Sequence, residues 1–313
     1  MEGLEIGLEN CSFCGNSEIV YYRRYSGERL CRRCFLENIV EKVRYTISRY
    51  DLLKPFDKIA VAVSGGKDSL SLLKILAEIE KDYPSASLVA VTIDEGIPDY
   101  RDEAIKNAEE YVKKIGVPHY VFSFEKLYGF TLTEIVEKGV ARSINLRPCT
   151  ICGVLRRKAL TLAAEKVGAT VIATAHTLDD VVQTYLLNIL RGDTRFTPIG
   201  VRRGAEGVIP RVAPLRLIPE REVVLYAYLS GIPFQTYECP YAEESMRDPI
   251  RSFLTEYEER FPGSLFSALK SFERIFEKSD RESGRCTRCG EPTSRKICRA
   301  CEIEDIIVKK MVF

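Results

Sequence analysis

Eleven cysteines fall into sets of four, three and four along 313 residues, and this grouping narrows what the chain can fold into more than any other feature. The first set is Cys11-x2-Cys14, sixteen residues, then Cys31-x2-Cys34; the last is Cys286-x2-Cys289, eight residues, then Cys298-x2-Cys301. Each set supplies four thiolates, the ligand complement of a tetrahedral structural Zn²⁺. The loops around them hold too little apolar surface to fold unaided, so metal is expected to supply their stability. Disulfides or a redox pair are the competing reading, and two complete sets in a cytosolic chain favour metal. A cytosolic location is expected because Met1-Glu2-Gly3-Leu4-Glu5 lacks the basic and apolar regions of a signal peptide. No stretch approaches the roughly 18 apolar residues of a membrane span, so no membrane partner is expected.

Between the cysteine sets the pattern alternates. Ile59 to Val63, Leu88 to Ile93, His119 to Phe124 and Thr170 to Ala175 read as strands. Helical spacing runs over Ser69 to Ile79, Arg101 to Ile115, Leu155 to Val167 and Leu178 to Leu190. Strands separated by helices predict an α/β fold, a parallel sheet with helices on both faces. Further helices are predicted over Phe35 to Arg49, Arg221 to Leu229 and Pro249 to Lys278. The expected division is an N-terminal zinc module and linker helix over 1–50, a catalytic domain over 51–280 and a C-terminal zinc module over 281–313.

Ser64-Gly65-Gly66-Lys67-Asp68-Ser69 stands where a buried strand turns into a helix. Two glycines free the backbone amides, and a helix N-terminus behind them completes an anion cradle. Ser64 and Ser69 add hydroxyls and Lys67 a positive charge. The Walker A pattern is absent, because Val61 stands where its first Gly would fall. Ile93 and Asp94 end the second strand, at the carboxyl edge where such sheets bind nucleotide. His176, Asp179 and Asp180 follow a later strand. Asp179 reads as a helix N-cap, and both carboxylates are candidates to hold Mg²⁺. His119, by contrast, reads as a packed or surface residue.

The three remaining cysteines are Cys149, Cys152 and the distant Cys239. A helix N-terminus and nearby arginines are expected to favour thiolate at the first two. A persulfide resolved by a partner cysteine and a 4Fe-4S cluster with one open iron both fit this set. Net charge is only +1, but basic residues are clustered. Arg142, Arg147, Arg156, Arg157 and Lys158 make one run; Arg191, Arg195, Arg202, Arg203, Arg211 and Arg216 a second; Arg285, Arg288, Arg295, Lys296 and Arg299 a third. With Arg23, Arg24, Arg32 and Arg33 on the first cysteine set, these runs point to a polyanion, against the plainer reading of solvated faces.

The hexapeptide resembles the PP-loop of ATP pyrophosphatases, and Ala175-His176-Thr177-Leu178-Asp179-Asp180 is similar to their Gly-His-x-x-Asp-Asp motif with Ala replacing Gly. Together with terminal CxxC pairs, the central CxxC and Cys239-Pro240, the chain resembles, over nearly its whole length, the TtcA/TtuA family of tRNA 2-thiolation enzymes. That resemblance implies ATP bound by Ser64 to Ser69 with adenine near Ala62 and Ile93, and Mg²⁺ on its phosphates. It implies adenylation of the uridine C2 oxygen, then sulfur transfer, with a 4Fe-4S cluster on Cys149, Cys152 and Cys239. Lys67 and Arg156 would balance developing charge, and Asp180 would bind Mg²⁺ or help activate the base. A ubiquitin-like thiocarboxylated protein is the implied sulfur donor; a homodimer is left open. Gln occurs only as Gln183 and Gln235 while Lys and Glu abound, a bias of thermophile proteins. It tilts the expected target to 5-methyluridine 54, with wobble uridine 34 as runner-up. Two other classes share parts of the pattern. An amide-forming PP-loop ligase has no need of the three extra cysteines, and a non-catalytic zinc-ribbon RNA binder has no need of a nucleotide site.

Overall fold

A computed structural model describes residues 10–192, 199–202, 208–234, 239–241, 247–276, 284–293 and 295–312. Of the basic positions singled out above, Arg195 and Arg203 lie outside them. An antiparallel hairpin, β1 (Ile19–Arg23) and β2 (Glu28–Cys31), leads directly into α1 (Arg32–Arg49). The central unit then runs β3 (Lys58–Ala62), α2 (Lys67–Glu80), β4 (Ser87–Asp94), α3 (Tyr100–Ile115) and β5 (His119–Ser123). Three short helices follow, α4 (Phe124–Tyr128), α5 (Leu132–Glu137) and α6 (Val140–Ser143). The chain continues through α7 (Pro148–Lys166), β6 (Val171–Ala173), α8 (Leu178–Leu190), β7 (Arg211–Val212), α9 (Glu220–Leu229), α10 (Arg247–Arg260), α11 (Ser264–Phe276) and α12 (Arg299–Val312).

Five strands form one sheet in the order β5-β4-β3-β6-β7, and every pairing is parallel. The side-chain period of two divides the core between its faces. Ile59, Val61, Leu88, Ala90, Val171 and Ala173 pack on one side with residues of α1, α2, α3 and α9. Ala60, Val89, Val91, Ile93 and Ile172 pack on the other, with α4 to α7 and α12. Strands covered on both faces read as continuous apolar runs, which is why Ile59 to Val63 was legible as a buried strand.

The predicted α/β architecture is thus present, with one correction among the long helices. Pro249 to Lys278 is not a single helix: it breaks between Arg260 and Ser264 into α10 and α11. Pro262 lacks an N–H, and Gly263 adopts φ +95°. The buried Glu258 carboxylate holds the corner, accepting from Gly263 N at 2.7 Å, Ser264 Oγ at 2.7 Å and Leu265 N at 2.9 Å.

A buried ion network fastens the N-terminal hairpin to the sheet domain. Arg23 and Glu222 are both 0 % exposed, paired Nε to Oε1 at 2.9 Å and Nη2 to Oε2 at 3.1 Å. Tyr25 donates to the same carboxylate at 2.7 Å, and Glu28 accepts from Arg23 at 2.6 Å. Removing one partner of such a pair leaves an uncompensated charge in the core, a loss of about 3–5 kcal/mol. Glu222→Gln is therefore expected to lower the free energy of unfolding by about that amount, measured by denaturant titration; an unchanged midpoint would show that the network carries no stability.

Candidate active site and metal centres

The strand order reverses direction at β3, so the carboxyl ends of β3 and β6 flank a crevice, the place where open α/β sheets take ligands. The Ser64–Ser69 loop leaves β3 there, and the His176–Asp180 segment leaves β6. Gly65 has φ +86°, and a Cβ on it would sit 2.3 Å from the Ala104 carbonyl oxygen, so only glycine fits. Ser64 and Ser69 close the loop: their hydroxyls are 3.1 Å apart, Ser69 Oγ accepts from Ser64 N at 3.1 Å and donates to Gly66 O at 2.9 Å. No side chain caps α2, whose N-cap is Gly66. Its first-turn amides are therefore left to an anion.

Lys67 Nζ lies 3.1 Å from Asp68 and 3.0 Å from Glu220. Asp68 Oδ1 is buried without a hydrogen-bond partner, and burial pushes this carboxyl above its usual range. Asp179 is not the N-cap of α8. Thr177 is, its hydroxyl accepting from Asp180 N at 3.4 Å while Asp180 Oδ2 accepts from Thr177 N at 3.0 Å. The shorter reach of Asp180 back to Thr177 closes a reciprocal capping box, leaving Asp179 to accept from Glu220 N at 2.7 Å. Burial pushes the Asp179 carboxyl up to about 6, with Glu220 and Asp180 adding to the push. His176 shares a hydrogen bond with Thr174 Oγ1 at 2.8 Å, and His119 one with Thr92 Oγ1 at 2.8 Å inside the sheet, as a packed residue should. Ala62 is half-buried at its strand end, whereas the Ile93 side chain is buried in the core and its carbonyl accepts from Arg101 at 2.6 Å. Only the backbone of Ile93 therefore borders the crevice, because alternation turns its side chain inward.

The three central cysteines sit beside this edge. Pro148 opens α7, Cys149 is exposed with its thiol 3.0 Å from Tyr241 O, and Cys152 is buried one turn on. Cys239 is half-buried and packs against the same core as Cys152. Thiolate at Cys152 was expected from the helix end and nearby cations, but burial pushes its thiol up to about 11 despite Arg156. Desolvation outweighs the dipole there, so a metal replacing the proton is what would deprotonate it. Arg156 Nη2 donates to Cys152 Sγ at 3.3 Å while its Nε lies 2.5 Å from Glu95 Oε1. Glu95 Oε2 is in turn 2.7 Å from Arg101 Nε, and Arg101 Nη1 donates to Ser64 O at 3.0 Å. A chain of contacts therefore runs from the phosphate loop to Cys152. Three thiols at the crevice, one already facing a cation, fit a cluster's donor set.

At each end of the chain four cysteine sulfurs lie within 4.8 Å of one another. Cys14 and Cys31 are 3.6 Å apart, as are Cys289 and Cys298, and Cys286 stands 4.0 Å from Cys301. These spacings exceed a disulfide and match the roughly 3.8 Å edge of a tetrahedron with ~2.3 Å Zn–S bonds. Against burial, backbone N–H groups pull the Cys11 and Cys286 thiols down to about 6. Cys31 N donates to Cys11 Sγ at 3.4 Å, and Cys298 N to Cys286 Sγ at 3.2 Å. The residues present thus fit Zn²⁺ at both ends. Among the described residues Cys149, Cys152 and Cys239 make no such tight group.

Some of the basic residues singled out in the sequence are structural. Arg23 and Arg216 are fully buried, Arg216 pairing with Glu273 at 2.8 Å. Arg202 pairs with Asp57, Arg211 with Glu291, Arg288 with Asp305, and Arg295 and Arg299 both with Glu302. Arg24, Arg32, Arg33, Arg142, Arg147, Arg157 and Arg191 are exposed, as is the whole run of Arg285, Arg288, Arg295, Lys296 and Arg299.

A PP-loop domain model matches residues 36–258, and the model of the "2-thiouridine synthetase TtuA, N-terminal LIM domain" matches residues 10–36. A protein of Methanocaldococcus jannaschii named "Probable sulfurtransferase" is 37% identical over 295 residues, covering 93% of this chain and 86% of that one. The "Cytoplasmic tRNA 2-thiolation protein 1" of Drosophila melanogaster is 38% identical over 298 residues, 93% of this chain and 85% of that one. The chain belongs to the tRNA 2-thiolation family of PP-loop sulfurtransferases. The U34-tRNA thiolase NcsA from Methanococcus maripaludis, solved with its [4Fe-4S] cluster, superposes with a TM-score of 0.83 at 32% identity, covering 95% of this chain and 96% of that one. As a member of this family the chain is a transferase, with the sheet domain and terminal cysteine modules read from its sequence. Glu95, Arg101 and Glu220 escaped that reading; the only signal was an acid directly after a buried strand end.

Anaerobically purified protein should contain about two Zn per chain, with the eight terminal thiols slow to titrate; zinc-free protein with eight free thiols would remove the metal reading. The Asp179 carboxyl gives a pH signature. Its folded value of about 6 lies above the unfolded value near 4, so the folded state binds the extra proton between them. Stability of zinc-loaded, magnesium-free protein should therefore fall as pH rises from about 4 to about 6, and Asp179→Asn should remove that slope in a denaturation series.

Proposed function

We propose that the chain uses ATP to adenylate the C2 oxygen of a tRNA uridine and then replaces that oxygen with sulfur, acting on wobble uridine 34. One observation carries the chemistry: the phosphate loop and the Cys149–Cys152 pair open on one sheet edge and are joined by direct contacts. A urea-like carbonyl oxygen is a poor leaving group, so attack of O2 on the α phosphate, with loss of pyrophosphate, converts it to one that departs as AMP. The α2 amides, Ser64 and Ser69 orient the phosphates, and Lys67 balances charge on the transferring group. Arg156 supplies a cation beside Cys152 during the sulfur step. Asp68, Asp179 and Asp180 would hold Mg²⁺, which when bound neutralises phosphate charge. Cys149, Cys152 and Cys239 would hold a 4Fe-4S cluster, which when bound supplies an iron for a sulfur species. The sulfur comes from a ubiquitin-like thiocarboxylated carrier, and the reaction is cytoplasmic.

Position 34 rather than 54 follows the match to a U34 thiolase over both full lengths. Position 54 is the second reading, favoured by the short N-terminal match to a TtuA domain. Mapping thionucleosides by mass spectrometry after reaction of anaerobically reconstituted enzyme with tRNA and ATP separates the two. Thiolation at 34 is expected; thiolation only at 54 would overturn the position, and none at either would overturn the substrate. Lys67→Ala should lower thiolation by about 10²–10³, and wild-type activity in that variant would sink the phosphate-loop assignment.

A further inference from the structure

Glu95 has no counterpart in the ligand sets discussed above, yet it is a closely held charged residue at the crevice. It is 1 % exposed, directly after β4. Its backbone is pinned: Glu95 O accepts from Leu132 N at 2.8 Å, and Thr133 Oγ1 donates to Gly96 O at 2.8 Å. Gly96 follows at φ +68°, so close to Thr131 that an added Cβ would lie 2.5 Å from its methyl carbon. A carboxylate on so fixed a stem has little freedom to follow its partners. The partners must come to it.

Two arginines do. Arg101, 5 % exposed at its side chain, reaches Oε2 from α3, and Arg156 reaches Oε1 from α7. Two cations on one anion leave one positive charge over. Since the Arg156 side chain is 44 % exposed, that charge is presented to the crevice beside Cys152. Arg101 alone would satisfy a buried carboxylate for stability. Turning a half-exposed arginine inward costs up to about 2 kcal/mol of side-chain entropy, and its other contact here is the Cys152 sulfur. The same Arg101 holds the Ser64 and Ile93 carbonyls at 3.0 and 2.6 Å. One carboxylate therefore references both halves of the site to a single fixed point.

We propose that Glu95 is a positioning residue: it holds Arg156 on the Cys152 sulfur and, through Arg101, sets the phosphate loop and the cysteine site in register. It touches neither ATP nor the sulfur itself. The proposal rests on the reading of Cys149, Cys152 and Cys239 as cluster ligands, and supplies the outer-shell contact that such ligands depend on.

The test uses full-length, cluster-loaded enzyme carrying Glu95→Gln, which keeps the side-chain shape and removes the charge. Cluster content should be retained, the electron paramagnetic resonance signal and midpoint potential of the reduced cluster should shift, and kcat should fall about 10- to 100-fold. Arg156→Gln should reproduce the altered signal, and the signal of the double variant should match that of Arg156→Gln alone, because Glu95 acts on the cluster through that arginine. A wild-type signal and kcat in loaded Glu95→Gln would overturn the proposal, as would shifts of the cluster signal that add in the double variant. If Glu95→Gln fails to fold, Glu95→Asp keeps the charge and withdraws it by one methylene, and the same signal and kcat decide. Iron-free wild-type protein with full activity would instead sink the cluster reading, a result distinct from an unaltered variant of a loaded enzyme.

Discussion

The parallel pairing of β3 with β4 on one side and β6 on the other is the constraint on which the site depends. A strand paired on both edges and covered on both faces has nowhere to send its chain except off its carboxyl end. Val63 still donates to Val91 O at 2.8 Å, so the turn cannot begin earlier, and the Ala104 carbonyl admits only glycine at position 65. The phosphate loop is thus shaped by backbone hydrogen bonds and one close approach. The segment that leaves β6 opens on the same crevice for the same reason, which brings Asp179 and Asp180 to the nucleotide edge.

The appended elements fix what the sheet alone leaves loose. Helix α9 connects the N-terminal module to the nucleotide site. Its first turn is held by the buried Arg23–Glu222 pair, while Glu220 at its start contacts Lys67 and gives its N–H to Asp179. Helix α7 plays the matching part at the other end. Cys149 and Cys152 occupy its first turns, and Lys158 further along donates to Cys301 Sγ at 3.5 Å and pairs with Glu304. Each terminal cysteine module is therefore tied to the candidate site through one helix, with Arg211–Glu291 adding a further tie at the C-terminal end.

How much of this was legible depended on whether a residue's role is local. Strand–loop–helix signals such as Ile59 to Ser69, and CxxC spacing, need only near neighbours, and the sheet, the phosphate loop and both cysteine modules were read correctly from them. Charge runs did not separate buried arginines from exposed ones. Arg23 finds Glu222 and Arg202 finds Asp57 across long stretches of chain, and no local pattern marks such partners. The cap of α8 was misplaced for a related reason: a capping box needs the acid three residues after the cap, which Thr177 and Asp180 satisfy and Asp179 does not. Glu95 was invisible because its meaning arises only where α3 and α7 converge on it.

The central claim is that ATP is spent on the uridine oxygen itself, in the same crevice that delivers sulfur. Oxygen isotope tracing tests this most directly. With tRNA carrying ¹⁸O at C2 of the target uridine, one turnover by cluster-loaded enzyme should release AMP that contains the label, together with an equal amount of pyrophosphate and 2-thiouridine. Unlabelled AMP formed in step with 2-thiouridine would show that the oxygen leaves by another route, and would contradict the account.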